Sequence, residues 1–218
     1  TTTSTLIAHL CKEANLPSSA FLGGISENFK SNFDYNGNQY SVVEADEYDR
    51  SFLNLSPDWA VVTSIDADHL DIYGDRVQIE DGFRQFAGLV PNDNQLFVRK
   101  GIAIGREHKT YAVNEEADYY SDNLRMNHDK IYFDFHTPTQ KIENFVWEIP
   151  GIHNVENATV ALAILSNLGV DFDTLKKAIA SFKGIKRRYT KHIFDNGKIY
   201  IDDYAHHPTE LNAVIGSI

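Results

Sequence analysis

The chain is nearly free of cysteine and short of positive charge. Cys11 is the single cysteine among 218 residues, so no disulfide closes within the chain and no cysteine-based zinc site is built from it. No apolar run approaches the ~20 residues of a membrane-spanning helix, and no signal peptide is visible. Lys and Arg number 20 against 31 Asp and Glu, a net charge of −11. Such a balance disfavours nucleic acid and anionic membrane as partners. With 42% hydrophobic and 12% aromatic residues, the chain has the material for a proper core and is not a disordered segment. The expectation is a soluble cytoplasmic protein of one large or two small domains.

The stretch over residues 41–71 organises the rest. Two apolar runs, 40–45 and 59–65, read as buried neighbouring strands. Glu44, Asp46, Glu47 and Asp49 cluster at the end of the first, and Asp66, Asp68, His69 and Asp71 follow the second. Ligands of an open α/β sheet bind outside the carboxyl ends of its strands. Carboxylates with an imidazole there suit a hard divalent cation such as Mg2+ carrying phosphate. The plainer alternative is that these acids cap helices and sit in water.

In chain order, a helix is expected over 2–14 and a short strand over 19–23. Strands over 32–35 and 39–43 flank Asn36-Gly37, which predicts a hairpin. A short helix follows near 50–55, and apolar residues at Val77, Ile79, Phe83, Phe86 and Leu89 predict a surface helix over 75–89. From 95 to 149 the texture is short strands and turns, read as antiparallel sheet. Helices return over 154–168 and 173–182, and Asp195-Asn196-Gly197 predicts a second hairpin. The chain opens without Met, on a helix start with no strand before it, and stops inside a helix begun at Pro208. That pattern is expected of a piece of a longer protein.

Four further constellations place polar residues where a core does not ask for them. Thr1-Thr2-Thr3-Ser4 opens a helix, whose free N–H groups and dipole suit phosphate and whose hydroxyls suit Mg2+, although Ser and Thr are also ordinary N-caps. Asn154 and Asn157, three apart in a first helical turn, share a face where amides read an adenine edge; an N-cap with an incidental Asn is the alternative. Lys186-Arg187-Arg188 follows a Gly-marked helix end, and is either solvated or within reach of a phosphoryl group. Asp202-Asp203-Tyr204-Ala205-His206-His207 ends an apolar strand before a helix; its paired histidines lack a third metal ligand at ordinary spacing.

EADEYD, TSIDADHLD, GIHNVENA, KRRY and DDYAHHPTE resemble, in order, the motifs of the Mur ligases. The resemblance runs over the whole chain. It implies an α/β fold: a P-loop-NTPase-like central sheet flanked by helices, with an antiparallel β subdomain, then the beginning of a Rossmann-like C-terminal domain. Residues 1–188 would form the ATP-binding domain and 189–218 the start of the next, with a hinge at 184–188. It also implies that the family's phosphate-binding Gly and Lys loop lies just before Thr1.

The implied chemistry is ATP-dependent amide ligation in peptidoglycan precursor synthesis. A substrate carboxylate takes the γ-phosphate of ATP, and an amino acid displaces phosphate from the acyl phosphate. UDP-N-acetylmuramate and L-alanine are the implied substrates. A branch that recycles a cell-wall tripeptide and a catalytically dead nucleotide-binding module stay open. By resemblance Thr1 and Glu44 hold one Mg2+ and His69 a second, with Thr2 beside the phosphates. Asn154 and Asn157 face adenine, and Asp203 meets the ribose. Arg188 contacts ATP, and Tyr204 and His206 lie towards the amino acid. Glu44 and His69 are expected to approach one another, and the chain without the preceding loop is expected not to catalyse ligation.

Overall fold

The computed structural model describes residues 1–65, 75–128 and 130–217. Helix α1 spans Thr2–Glu13 with Thr1 as its N-cap, and buries Leu6, Ala8, His9, Leu10 and Cys11. Strands β1 (Ser18–Phe21), β2 (Phe33–Tyr35) and β3 (Tyr40–Val43) form a sheet ordered β2-β1-β3. Ala20 of β1 and Leu22 pack on Ala8 of α1, with Val42 of β3 against them.

That order overturns the hairpin expected at Asn36-Gly37. β1 lies between the two strands, antiparallel to β2 and parallel to β3. The link wraps the start of β1 instead: Asn36 N–H donates to Ser18 O, and Gln39 and Tyr40 N–H both donate to Pro17 O. Gly37 serves that wrap at φ 134°, where an added Cβ would lie 2.5 Å from Pro17 Cβ.

A 3-10 segment, Tyr48–Asn54, broken by a kink at Asp49 and Arg50, leads to β4 (Ala60–Val62). Helix α2 (Arg76–Gly88) starts where Asp75 accepts from Gln78 N–H. Strands β5 (Leu96–Arg99), β6 (Lys109–Val113), β7 (Tyr119–Asn127), β8 (Lys130–His136) and β9 (Lys141–Trp147) continue from β4 into a six-stranded sheet in sequence order. Two expectations are corrected here. β3 and β4 are not neighbours: β3 pairs with β1 and β4 with β5, in separate sheets. The 95–149 region is antiparallel only from β7 to β9; β4 through β7 run parallel.

The β6–β7 link, 114–118, is far shorter than the dozen residues usual for a parallel crossover. A reciprocal lock holds it. Asp118 Oδ2 accepts from Thr110 N–H at 2.8 Å and from its hydroxyl at 2.7 Å, and Asp118 N–H donates back to Thr110 Oγ1. Strand composition and turn residues carry no direction, which is why the pattern alone misreads the first half.

Helix α3 (Ile152–Asn167) is buried at every position from 158 to 165, an all-round apolar helix fit only for a core. Helix α4 (Phe172–Ala180), α1 and β5–β9 complete that core around Phe133, Phe135, Phe145 and Trp147. Each fully buried Leu, Ile or Phe there contributes about 1.5–3 kcal/mol. The chain ends with the hairpin β10 (Thr190–Ile193) and β11 (Ile199–Asp202), as Asn196-Gly197 predicts, and helix α5 (Pro208–Ile215).

Candidate active site

Two helix starts converge on one cleft. Thr3 Oγ1, in the first turn of α1, donates to Asn157 Oδ1 in the first turn of α3 at 2.9 Å. Both N-termini therefore aim unpaired N–H groups and positive dipole ends at the same space. The cleft holds about 310 Å3 and is lined by Thr1, Thr2, Thr3, Asn157, Arg188 and Asp203 among others, a size within the range of small-ligand sites.

Behind Thr1 stands Glu44, just past β3. Its Oε1 accepts from the Thr1 hydroxyl at 2.7 Å and its Oε2 from Gly23 N–H at 2.7 Å, with the Ser4 hydroxyl at 3.3 Å. Burial pushes the Glu44 carboxyl up, while the hydrogen bonds from the Thr1 hydroxyl and Gly23 N–H pull it down. An added Cβ at Gly23 would come 2.5 Å from Glu44 Oε1, so a larger residue there displaces that carboxylate.

Further along, Asn154 is buried and its amide is committed: Nδ2 donates to Pro150 O at 2.6 Å, and Oδ1 accepts from Asn157 Nδ2 at 3.4 Å. Asn157 is the more open of the two. His153 beside them is driven below its usual pKa, first by burial.

The opposite wall comes from the linker after α4 and the strand end of β11. Asp203 Oδ2 accepts from Tyr189 N–H and its Oδ1 from Ala205 N–H, both at 2.7 Å. Each oxygen keeps a lone pair for a ligand. Arg188 Nη1 lies 3.6 Å from Glu210 Oε1, and its guanidinium sits 5.9 Å from the Tyr204 ring centre. The linker carries positive φ at Gly184 (85°), Arg187 (59°) and Tyr189 (54°). Two non-glycine residues held there store strain of order 1–3 kcal/mol each, a cost that clusters at functional and switching segments.

The residues picked out in the sequence therefore divide. Thr1 touches Glu44, Asn154 touches Asn157, and Thr2, Arg188 and Asp203 line the same cleft. His206 is mostly exposed, with its N–H on Glu210 Oε2 and its Nδ1 3.1 Å from Tyr204 O. His69, with Asp66, Asp68 and Asp71, lies outside the described residues, so its approach to Glu44 is an expectation only. Among the described residues no three His, Cys, Asp or Glu side chains gather to hold a metal.

Sequence reasoning missed Gly23 and Glu210 as site residues, and an ion pair in the cleft. Arg99 Nε, at the end of β5, lies 2.9 Å from both carboxylate oxygens of Glu156 on α3. Burial raises the Glu156 pKa more than Arg99 lowers it. The available signal was a charge closing the apolar run LFV and an acid set between Asn154 and Asn157.

Residues 1–165 match the family described as the Mur ligase middle domain. The chain belongs to the Mur ligase family. It is 46% identical over 214 residues to a UDP-N-acetylmuramate–L-alanine ligase of Christiangramia forsetii, covering 98% of this chain and 47% of that one. A ligase of the same name from Flavobacterium psychrophilum shows the same identity and coverage. The chain thus spans about half the length of the curated relatives it matches. Among solved structures, a UDP-N-acetylmuramate-alanine ligase of Thermotoga maritima superposes with a TM-score of 0.85 at 24% identity, over 100% of this chain and 51% of that one. That agreement shows the Mur ligase fold: a mixed sheet flanked by helices.

Proposed function

We propose that this Mur ligase chain carries the ATP-binding part of an enzyme that joins L-alanine to UDP-N-acetylmuramate through an acyl phosphate, in the cytoplasm, for peptidoglycan precursor synthesis. The single observation that carries the reading is the cleft where two helix N-termini, Arg188 and Asp203 meet, with Glu44 bonded to its Thr1. The names of the 46%-identical relatives support the choice of substrates.

The donor set at Glu44 fits Mg2+. It offers a carboxylate and a hydroxyl, both hard oxygen donors, and Mg2+ takes few protein ligands beside water and phosphate. Glu44 and Thr1 would hold it, with His69 at a second ion, and the metal would neutralise phosphate charge during transfer. The rest of the work falls to this chain. Asn157, oriented by Asn154 and Thr3, presents an amide to the adenine edge. Asp203, its carboxylate fixed by two N–H groups, accepts from ribose hydroxyls. Arg188, held by Glu210, stabilises charge on the transferring phosphoryl group. The α1 and α3 N-termini add their dipoles to the same anion. Tyr204 and His206 flank the approach of the amino acid. Such positioning and electrostatics are what phosphoryl transfer asks of a protein.

The domain reading follows. Residues 1–188 form the nucleotide-binding unit and 189–218 begin the next, with the segment 184–188, which holds positive φ at Gly184 and Arg187, as hinge. Tyr200 and Tyr204 are both more than half exposed, which supports a unit that does not bury itself in α3.

The test is phosphate release by a protein of the relatives' full length carrying this chain. Release that needs ATP, Mg2+, UDP-N-acetylmuramate and L-alanine together is the expected result. Release driven by a cell-wall tripeptide in place of L-alanine, or no release at all, overturns the reading.

A further inference from the structure

Arg99 is the one cleft arginine whose grip on the protein is made at its inner nitrogen. Its Nε meets both oxygens of Glu156 at 2.9 Å, and among the described residues neither terminal nitrogen has an acceptor. An arginine that serves only to bolt two elements together commonly uses its planar fork against the carboxylate. Here the fork is left over. Half of the Arg99 side chain is exposed, and it lines the cleft together with Thr63, Ser64 and Asn157. Among the described residues the acids nearby do not compete for it: Glu44 is satisfied by Thr1 and Gly23, Asp203 by two backbone N–H groups, and Glu210 by Arg188 and His206. Glu156 is the less exposed partner, at 19%, so the pair is asymmetric: an anchored carboxylate holding a guanidinium that faces the open cleft.

We propose that Arg99 is a substrate-binding residue of this cleft: Glu156 fixes its Nε, and its two terminal amino groups grip an oxyanion of the substrates, a nucleotide phosphate or the carboxylate to be activated. The inference rests on the functional reading above and adds a residue to it. Arg99 stands on the sheet side of the cleft and Arg188 on the linker side, so the two cations approach the bound anion from separate elements. A bidentate grip from a pre-oriented guanidinium restricts the anion's position as well as attracting it. Glu156 is then a positioning residue, acting through Arg99 and not on substrate.

The experiment uses a protein of the relatives' full length carrying this chain. Arg99→Met removes the fork but leaves a partly buried carboxylate unpaired, so the double variant Arg99→Met with Glu156→Gln is the controlling comparison. KM is measured separately for ATP and for UDP-N-acetylmuramate, beside kcat and thermal unfolding. Loss of one charge-assisted bidentate contact is expected to raise one of the two KM values about tenfold in both variants. A rise for ATP assigns the phosphate, and a rise for UDP-N-acetylmuramate assigns the carboxylate. Glu156→Gln alone, which keeps the guanidinium and frees it, is expected to raise the same KM by about threefold, and Arg99→Lys, which keeps charge without the fork, to fall between. Both KM values unchanged in the double variant, with or without a lower unfolding temperature, overturn the proposal and leave the pair a bolt between β5 and α3. Wild-type protein without ATP-dependent ligation overturns the functional reading and takes this inference with it; that result is read before any variant is made.

Discussion

Thr3 and Asn157, 154 positions apart, share a 2.9 Å hydrogen bond that ties the first turn of α1 to the first turn of α3. Among the described residues, without it the two helix starts share no direct side-chain bond at the cleft, and Asn157 keeps only its 3.4 Å contact to Asn154. Thr3→Val keeps the shape of the side chain and removes the donor. A loss of about 0.5–1.5 kcal/mol in stability is expected from one such bond, read by denaturant unfolding. Affinity for ATP is expected to weaken several-fold in the same variant, since Asn157 loses its orientation. Full affinity for ATP would remove Asn157 from the base-reading role.

Glu44→Gln tests the metal end. The amide oxygen still accepts from Gly23 N–H, so the fold survives, but the negative charge is gone. kcat/KM is expected to drop by about 10²-fold or more, the scale of losing one preorganised electrostatic group. The Mg2+ concentration at half-maximal rate is expected to rise. An unchanged Mg2+ titration would place the ion elsewhere.

Asp134 supports a prediction far from the cleft. Its buried carboxylate takes Asn123 Nδ2, Asn144 N–H and Lys141 Nζ, each at 2.9 Å, with Arg125 at 3.4 Å. Burial works against its charge, but these partners win and hold its pKa at about 2. They also pin both bulges of the β7–β9 meander, where the register shifts after Asp122 and after Phe133. Asp134→Ala leaves several donors without a partner and is expected to cost about 2–4 kcal/mol. Activity per folded molecule should be unaltered.

His9 sets a pH dependence. It is buried against α4 and Phe182, with Nε2 2.9 Å from Ala178 O and 3.0 Å from Ser181 Oγ. Burial, the largest influence, lowers its pKa from 6.5. The folded state therefore prefers the neutral ring, and the unfolded chain binds the proton first as pH falls. The stability due to this residue is complete above about pH 6.5 and is lost as pH falls from there towards the folded value. The unfolding temperature is expected to fall across that window, and to fall less in His9→Gln. Equal slopes for both proteins would clear His9 of the effect.

The same dipeptide shows how much of the fold the sequence disclosed. Asn-Gly occurs at 36–37 and at 196–197. At the second site the flanking strands pair directly; at the first, β1 stands between them. Turn chemistry is local, whereas the partner of a strand is decided by what its apolar side covers, here Ala20 and Val42 on α1. Helices α1 and α2 were legible from spacing and caps, and α3 from its unbroken apolar run. In the cleft, Glu44 and Asp203 were legible because each follows an apolar strand. Arg99 and Glu156 were not, because 57 positions separate them and neither residue marks the other.

The short lock between Thr110 and Asp118 divides the molecule by how far its contacts reach along the chain. Beyond it, β7, β8 and β9 meet through adjacent turns, the kind of contact that closes in microseconds. The cleft instead needs Thr1 to find Glu44 and Thr3 to find Asn157 across the lock, and long loops close slowly. The order of assembly is therefore expected to run backwards from function: the meander first, α3 laid on it, and the ligand-binding end last. Pulsed hydrogen exchange during refolding should protect the amides of β8 and β9 ahead of Gly23 and Tyr189.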